Sequence, residues 1–129
     1  MITVNYDLDN EKEKEAGEGP VIESLLAGIG DEALLLHYHE ETLGPLERYD
    51  EDNGTEYAKF LRVYLECGGR PQKVGERLYI HRNTVTNYLK KIRSITGKDM
   101  THLDCRVEAY LAYCVEDMLN EGSSEEALG

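Results

Sequence analysis

Tryptophan is absent from the 129 residues, cysteine is scarce, and apolar residues never run long without interruption. No stretch approaches the roughly 18 apolar residues that a membrane-spanning helix needs, so no membrane partner is expected. The amino-terminal MITVNYDLDNEKEK lacks a basic segment followed by an apolar one, so no secretory signal is expected there either. The three cysteines, Cys67, Cys105 and Cys114, form neither a CxxC pair nor an even set. They read as small reduced hydrophobes, which suits a cytoplasmic chain. Catalytic constellations are missing as well. There is no glycine-rich phosphate loop, no HExxH and no Ser/His/Asp or Cys/His set, so no enzyme, cofactor or small-molecule ligand is expected. His37 and His39 look like a metal pair, but residues two apart on a helix do not share a face, and no metal site is expected from them. No alternating apolar–polar stretch of useful length occurs, which removes β structure.

What remains is helical. Residues 1–20, rich in Asp and Glu and broken by Gly17 and Gly19-Pro20, read as a disordered acidic linker or tail. Residues 21–120 read as one all-α domain, a compact bundle of five or six helices, and residues 121–129 as a flexible tail. Ile22, Leu25, Leu26 and Ile29 predict a first short helix that stops at Gly28-Ile29-Gly30. Asp31 then supplies a cap oxygen for a second helix carrying Leu34, Leu35 and Tyr38, with a stop predicted at Gly44-Pro45. Leu46 and Tyr49 fall to a short connector, and Asp50 to Gly54 to turn chemistry. Tyr57, Phe60, Leu61, Tyr64 and Leu65 recur at i, i+3, i+4, i+7 and i+8, the core stripe of a helix over about Thr55 to Glu66. Gly68-Gly69 ends it. Pro71 opens the next helix, to Leu78, because the first turn loses no N–H bond to proline. A last helix to about Asn120 is predicted to bury Leu103, Val107, Leu111, Cys114, Val115 and Met118. Tyr57, Tyr64 and Tyr110 sit on apolar stripes and read as core.

Charge is distributed unevenly. Arg70, Lys73, Arg77, Arg82, Lys90, Lys91, Arg93 and Lys98 oppose the single acid Glu76, giving +7 over residues 70–98; the whole chain carries −12, so −19 is left for the remainder. Such a basic island in an acidic chain is the electrostatic footprint of a nucleic-acid reader. Within it, a short helix, a turn and a longer helix over Arg82 to Thr96 follow one another, the order of a helix-turn-helix. On a wheel of about 100° per residue, Val85, Leu89, Ile92 and Thr96 share one side. Asn83, Asn87, Lys90 and Ser94 share the other, flanked by Thr86 and Lys91. Asn pairs with adenine, Lys with guanine or phosphate, and Thr with the thymine methyl. The Thr84 hydroxyl and the free N–H groups at the helix start suit a phosphate. Gly75, poor for an isolated helix by about 1 kcal/mol relative to Ala, reads with Ile80 and Val85 as a packing triad for two steeply crossing helices. His81 reads as the residue that caps or orients the second of them.

Leu43-Gly44-Pro45-Leu46, Tyr49-Asp50, Tyr64-Leu65-Glu66, His81-Arg82-Asn83-Thr84-Val85 and Ile92 through Gly97 together resemble the C-terminal helix-turn-helix domain of PucR-type transcriptional regulators. The resemblance covers about Leu25 to Leu119. It implies a bacterial or archaeal DNA-binding regulator with a sensor or other regulatory domain upstream; the chain is then a fragment of a longer regulator or a stand-alone remnant. By position, Arg82, Asn83 and Thr84 match the family's HRNTV core, and Lys90, Lys91 and Ile92 its basic-basic-Ile stretch. Two departures stand out. Asn87-Tyr88-Leu89 replaces a common Tyr-Arg-Leu, removing one cation, and Gly69-Arg70-Pro71 replaces an Asn- or Ser-rich helix entry.

The expected function is sequence-specific recognition of double-stranded DNA by a PucR-like regulator, with the helix over about residues 82–96 in the major groove. Asn83, Thr86, Asn87 and Lys90 point to base edges. Arg82, Thr84, Lys91 and Arg93 hold phosphate, with Lys73 and Arg70 assisting, and a homodimer on repeated half-sites is expected. The alternative is a helix-turn-helix scaffold serving as a protein-interaction or dimerisation module without strong DNA binding, favoured by the −19 outside the island and the missing cation at Tyr88.

Overall fold

A computed structural model describes residues 21–128, with side chains through residue 121. The linker expected over residues 1–20 lies outside the described residues. Six helices account for nearly all of the described chain, and no strand occurs among those residues. The described part of α1 is residues 21–27. It is followed by α2 (Glu32–Asn53), α3 (Tyr57–Glu66), α4 (Pro71–Leu78), α5 (Arg82–Thr96) and α6 (Leu103–Leu128).

Helix α2 is the spine, packed against α6, α5 and α3. Asp31 caps it as expected, accepting the Leu34 N–H at 3.0 Å. The expected stop at Gly44-Pro45 is wrong, because the helix runs straight through both residues to Asn53. Interior proline costs about 3 kcal/mol and glycine about 1. Against this, Leu43 and Leu46 are fully buried on either side, and two such leucines contribute roughly 3–6 kcal/mol. The Glu40 carboxylate also lies across Gly44 to meet Arg48, bridging the turn that lacks the proline N–H. Burial therefore overrides the breaker. The expected connector and turn become the last helical turns, closed by Gly54 at φ 65°.

Asp50 does more than sit in a turn. Its Oδ1 accepts the Thr55 hydroxyl at 2.6 Å and the Tyr57 N–H at 2.8 Å, and its Oδ2 accepts the Ala58 N–H at 2.9 Å. One carboxylate at the end of α2 thus satisfies the free N–H groups that begin α3. Phe60, Leu61 and Tyr64 of α3 are buried as the stripe requires. They join Leu43, Leu46, Val74, Val85, Leu89 and Ile92 in the main core.

The final helix departs from expectation in two ways. Leu103 and Val107 are exposed, at 64% and 47%. Cys114 and Val115 are buried as expected, and Ala109, Ala112 and Tyr113 complete the buried face in place of Leu103 and Val107. The alanines let α6 approach its neighbours closely, and the register of the buried stripe turns with them. Tyr110, expected in the core, is 41% exposed. The backbone also stays helical to Leu128, past the expected end near Asn120; Glu, Ala and Leu favour helix there, and the lone Gly122 costs only about 1 kcal/mol. A smaller core of Leu26, Leu35, Cys114 and Val115 fastens α1 to α2 and α6. Three tyrosines cross-link elements by donating their hydroxyls to backbone carbonyls: Tyr38 to Glu108 at 2.7 Å, Tyr64 to Met100 at 3.1 Å, and Tyr113 to Ala58.

Candidate nucleic-acid interface

Helices α4 and α5 pack on each other across the turn Tyr79-Ile80-His81. Gly75 is what lets them meet. A Cβ there would stand 2.8 Å from the Ile80 carbonyl oxygen, so only hydrogen fits. The Ile80 N–H returns to the Gly75 carbonyl at 3.0 Å, closing the turn, and Tyr79 takes φ 58°, a left-handed conformation that costs a β-carbon about 1–2 kcal/mol. Val85 is fully buried beneath them, as the triad predicted. His81 caps α5, its Nδ1 accepting the Asn83 N–H at 3.0 Å.

Helix α5 divides as the wheel requires. Val85, Leu89 and Ile92 are buried, while Arg82, Asn83, Thr86, Asn87 and Lys90 are exposed. Among the described residues no carboxylate pairs with Asn83, Asn87 or Lys90. The Thr86 hydroxyl donates to the Arg82 carbonyl at 3.3 Å, which leaves its methyl group and lone pairs outward. Thr84 is half-buried at the helix start. Tyr88 packs its ring inward while staying partly exposed. Its ring lies edge-on to Tyr57 and Phe60, with centroids 5.3 and 5.0 Å away. Tyr79 is different, standing 94% exposed at the turn.

The eight cations of the basic island separate into two groups. Arg77 meets Glu66 at 3.0 Å, Lys98 meets Glu108 at 2.8 Å, and Arg93 meets Asp99 at 3.6 Å. Lys91 turns back over the Tyr49 ring, 5.0 Å from its centroid, and the Tyr49 hydroxyl beside it raises its pKa above the ordinary lysine value. Lys91 and Arg93 thus each have a partner on the protein itself, although Arg93 stays exposed. Arg70, Lys73, Arg82 and Lys90 form no ion pair among the described residues. Three of these come together although twelve positions separate them in sequence. Arg70, Lys73 and Arg82 line one shallow depression of about 500 Å³ at the start of α4. Gln72, which the sequence did not single out, and Glu76, the island's single acid, line it too. Their spacing of four on α4 was the available signal, and they hydrogen-bond to each other at 3.4 Å.

Residues 57–115 match the model of the PucR C-terminal helix-turn-helix domain. The proline-responsive transcriptional activator PutR of Bacillus subtilis is 31% identical over 86 residues, which is 67% of this chain and 21% of PutR. An uncharacterized protein of Mycobacterium tuberculosis is 34% identical over 73 residues, covering 57% of this chain and 17% of that protein. The DNA-binding transcriptional activator AdeR of Bacillus subtilis is 28% identical over 105 residues, 81% of this chain and 20% of AdeR. The chain therefore spans about a fifth of the length of these relatives. No solved structure matches it.

Proposed function

Since residues 57–115 match the PucR C-terminal helix-turn-helix domain, we propose that the chain is the sequence-specific DNA-binding part of a PucR-like transcriptional regulator. Helix α5 enters the major groove of double-stranded DNA. Asn83, Thr86, Asn87 and Lys90 read base edges, and Arg70, Lys73 and Arg82 grip one backbone phosphate at the start of α4. Thr84 assists at the helix start. Lys91 and Arg93 reach phosphate only by leaving Tyr49 and Asp99, so their contribution is the smaller one. The observation that carries the reading is the uncovered amide-and-amine edge of α5, beside three unpaired cations, in a chain of net charge −12. The names of PutR and AdeR as transcriptional activators favour the same role. The reading involves no catalysis and a cytoplasmic location, and two copies would engage repeated half-sites.

Selection from random duplexes with the purified chain tests this. Enrichment of a discrete motif, lost in Asn87→Ala, is the expected result; recovery of duplexes without sequence preference refutes specific recognition. A second reading has one observation in its favour. Leu103, Val107 and Tyr110 follow at i, i+4 and i+7 on α6 and stay exposed, which suits a helix that docks on protein. Passage straight through a DNA column at low salt, with self-association in sedimentation, would establish that interaction module instead.

A further inference from the structure

Helices α2 and α6 bring a nitrogen and two carboxylates to one point outside the α5 edge. His39 and Glu47 lie about two turns apart on α2, and Glu116 comes from α6. His39 Nε2 is 3.2 Å from Glu116 Oε1 and 3.6 Å from Glu47 Oε2. One donor atom from each of the three residues lies within 4.8 Å of the other two. Zinc bonds to nitrogen and oxygen of about 2.0–2.2 Å give tetrahedral edges of about 3.3–3.6 Å; of the two measured edges, 3.6 Å falls at the top of that range and 3.2 Å just below it.

We propose that His39, Glu47 and Glu116 bind a divalent transition ion of the zinc and cobalt class, which clamps α2 to α6. The imidazole donor selects such ions over magnesium and calcium, which prefer all-oxygen sets. Three protein ligands leave a fourth position for water. The surroundings favour a cation. Two partly buried carboxylates approach the same imidazole nitrogen. Arg62 is 3.9 Å from the other Glu116 oxygen, but its guanidinium is engaged by both oxygens of Asp117, at 2.9 and 2.5 Å. Arg62 thus steadies Glu116 without filling the space in front of His39. His37 supplies the contrast. Among the described residues it pairs only with exposed Glu41, at 3.8 Å, on another face of α2.

The test is titration of the full, chelator-treated chain with Co2+, followed by visible absorption, and with Zn2+, followed by calorimetry. One ion per chain is expected, with a rise in Tm of roughly 10 °C at a hundredfold excess over Kd. His39→Gln and Glu47→Gln should each weaken binding at least about 100-fold, since even outer-shell losses cost 10–100-fold. His37→Ala should leave binding unchanged. Absence of saturable binding by the wild-type chain overturns the proposal, as does binding that survives Glu47→Gln or is lost in His37→Ala. Should a variant fail to fold, the His39 imidazole resonances of the wild-type chain decide: they shift with one equivalent of Zn2+, or the site is refuted.

Discussion

Replacing Gly75 with alanine puts a methyl carbon 2.8 Å from the Ile80 carbonyl oxygen. Ordinary C···O contacts lie at about 3.3–3.6 Å, so the turn must open by roughly half an ångström or more. The atom encountered is main chain, held by its own turn, and it cannot swing aside as a side chain would. Two effects compete. Alanine improves the helix by about 1 kcal/mol, while overpacking a close contact costs about 1–3 kcal/mol. With the obstacle in the backbone the upper half of that range applies, giving a net loss of about 1–2 kcal/mol. In a domain of this size that lowers Tm by roughly 5–15 °C. DNA affinity should fall further than folding stability, because a tilted α4 carries Arg70 and Lys73 away from Arg82. Thermal and urea unfolding followed by circular dichroism measure the first effect, and duplex titration of the folded fraction the second. A Gly75→Ala chain as stable as wild type, or more stable, would show that the α4–α5 crossing is not set by this contact.

Asp50→Ala should cost about 2 kcal/mol, the upper end for loss of a helix cap, because three donors at the start of α3 lose their acceptor; urea midpoints check this. Arg82→Ala should weaken all duplexes alike and flatten the slope of log K against log salt by about 0.9, whereas Lys91→Ala, already turned to Tyr49, should change it less. Asn87→Ala should leave the salt slope alone and relax sequence preference by about 1–3 kcal/mol at one position, read from competition with mismatched sites. Asp99 gives a pH prediction. The Thr101 hydroxyl and N–H bind its carboxylate and hold its pKa below the ordinary value. A carboxyl lowered on folding contributes stability above its unfolded pKa and loses it as pH falls through the folded one. Thr101→Val removes the hydroxyl bond, so the acid loss of stability should be shallower in urea midpoints taken against pH.

Helices α3, α4 and α5 were legible in the sequence because each signal there is local. The stripe of Tyr57 to Leu65, the N1 proline Pro71 and the His81 cap all act within one or two turns. Gly75 was legible for the same reason, since its partner Ile80 is five residues away. The errors fall where a distant burial outweighs a local rule. Gly44-Pro45 reads as a stop until Leu43 and Leu46 are placed in the core by α3, α5 and α6. On α6 the small residues Ala109 and Ala112 define the buried face, and they carry little weight in a pattern of large hydrophobes, so Leu103 and Val107 were assigned inward. The interface shows the same division. The outward set Asn83, Thr86, Asn87 and Lys90 follows from helical period alone. The grouping of Arg70, Lys73 and Arg82, and the diversion of Lys91 and Arg93 to Tyr49 and Asp99, depend on how separate helices cross. His39 and Glu116, 77 residues apart, could not be joined by any spacing rule.

The acidity of the chain and its proposed phosphate contacts are reconciled by where the acids stand. Charges separated by more than about 8 Å are largely screened at physiological ionic strength, so what a phosphate meets is the local set and not the total of −12. Nearby acids do act, but on particular partners. Glu66 takes Arg77, Glu108 takes Lys98 and Asp99 takes Arg93. These pairs engage cations that would otherwise bind any polyanion, and on the proposed reading Arg70, Lys73, Arg82 and Lys90 meet the duplex. The cost is affinity, since fewer released counterions mean weaker and less salt-sensitive binding. The gain is that the proposed base-edge contacts from Asn83, Thr86, Asn87 and Lys90 make up a larger share of the total. On the proposed reading, surplus acid therefore favours discrimination over grip.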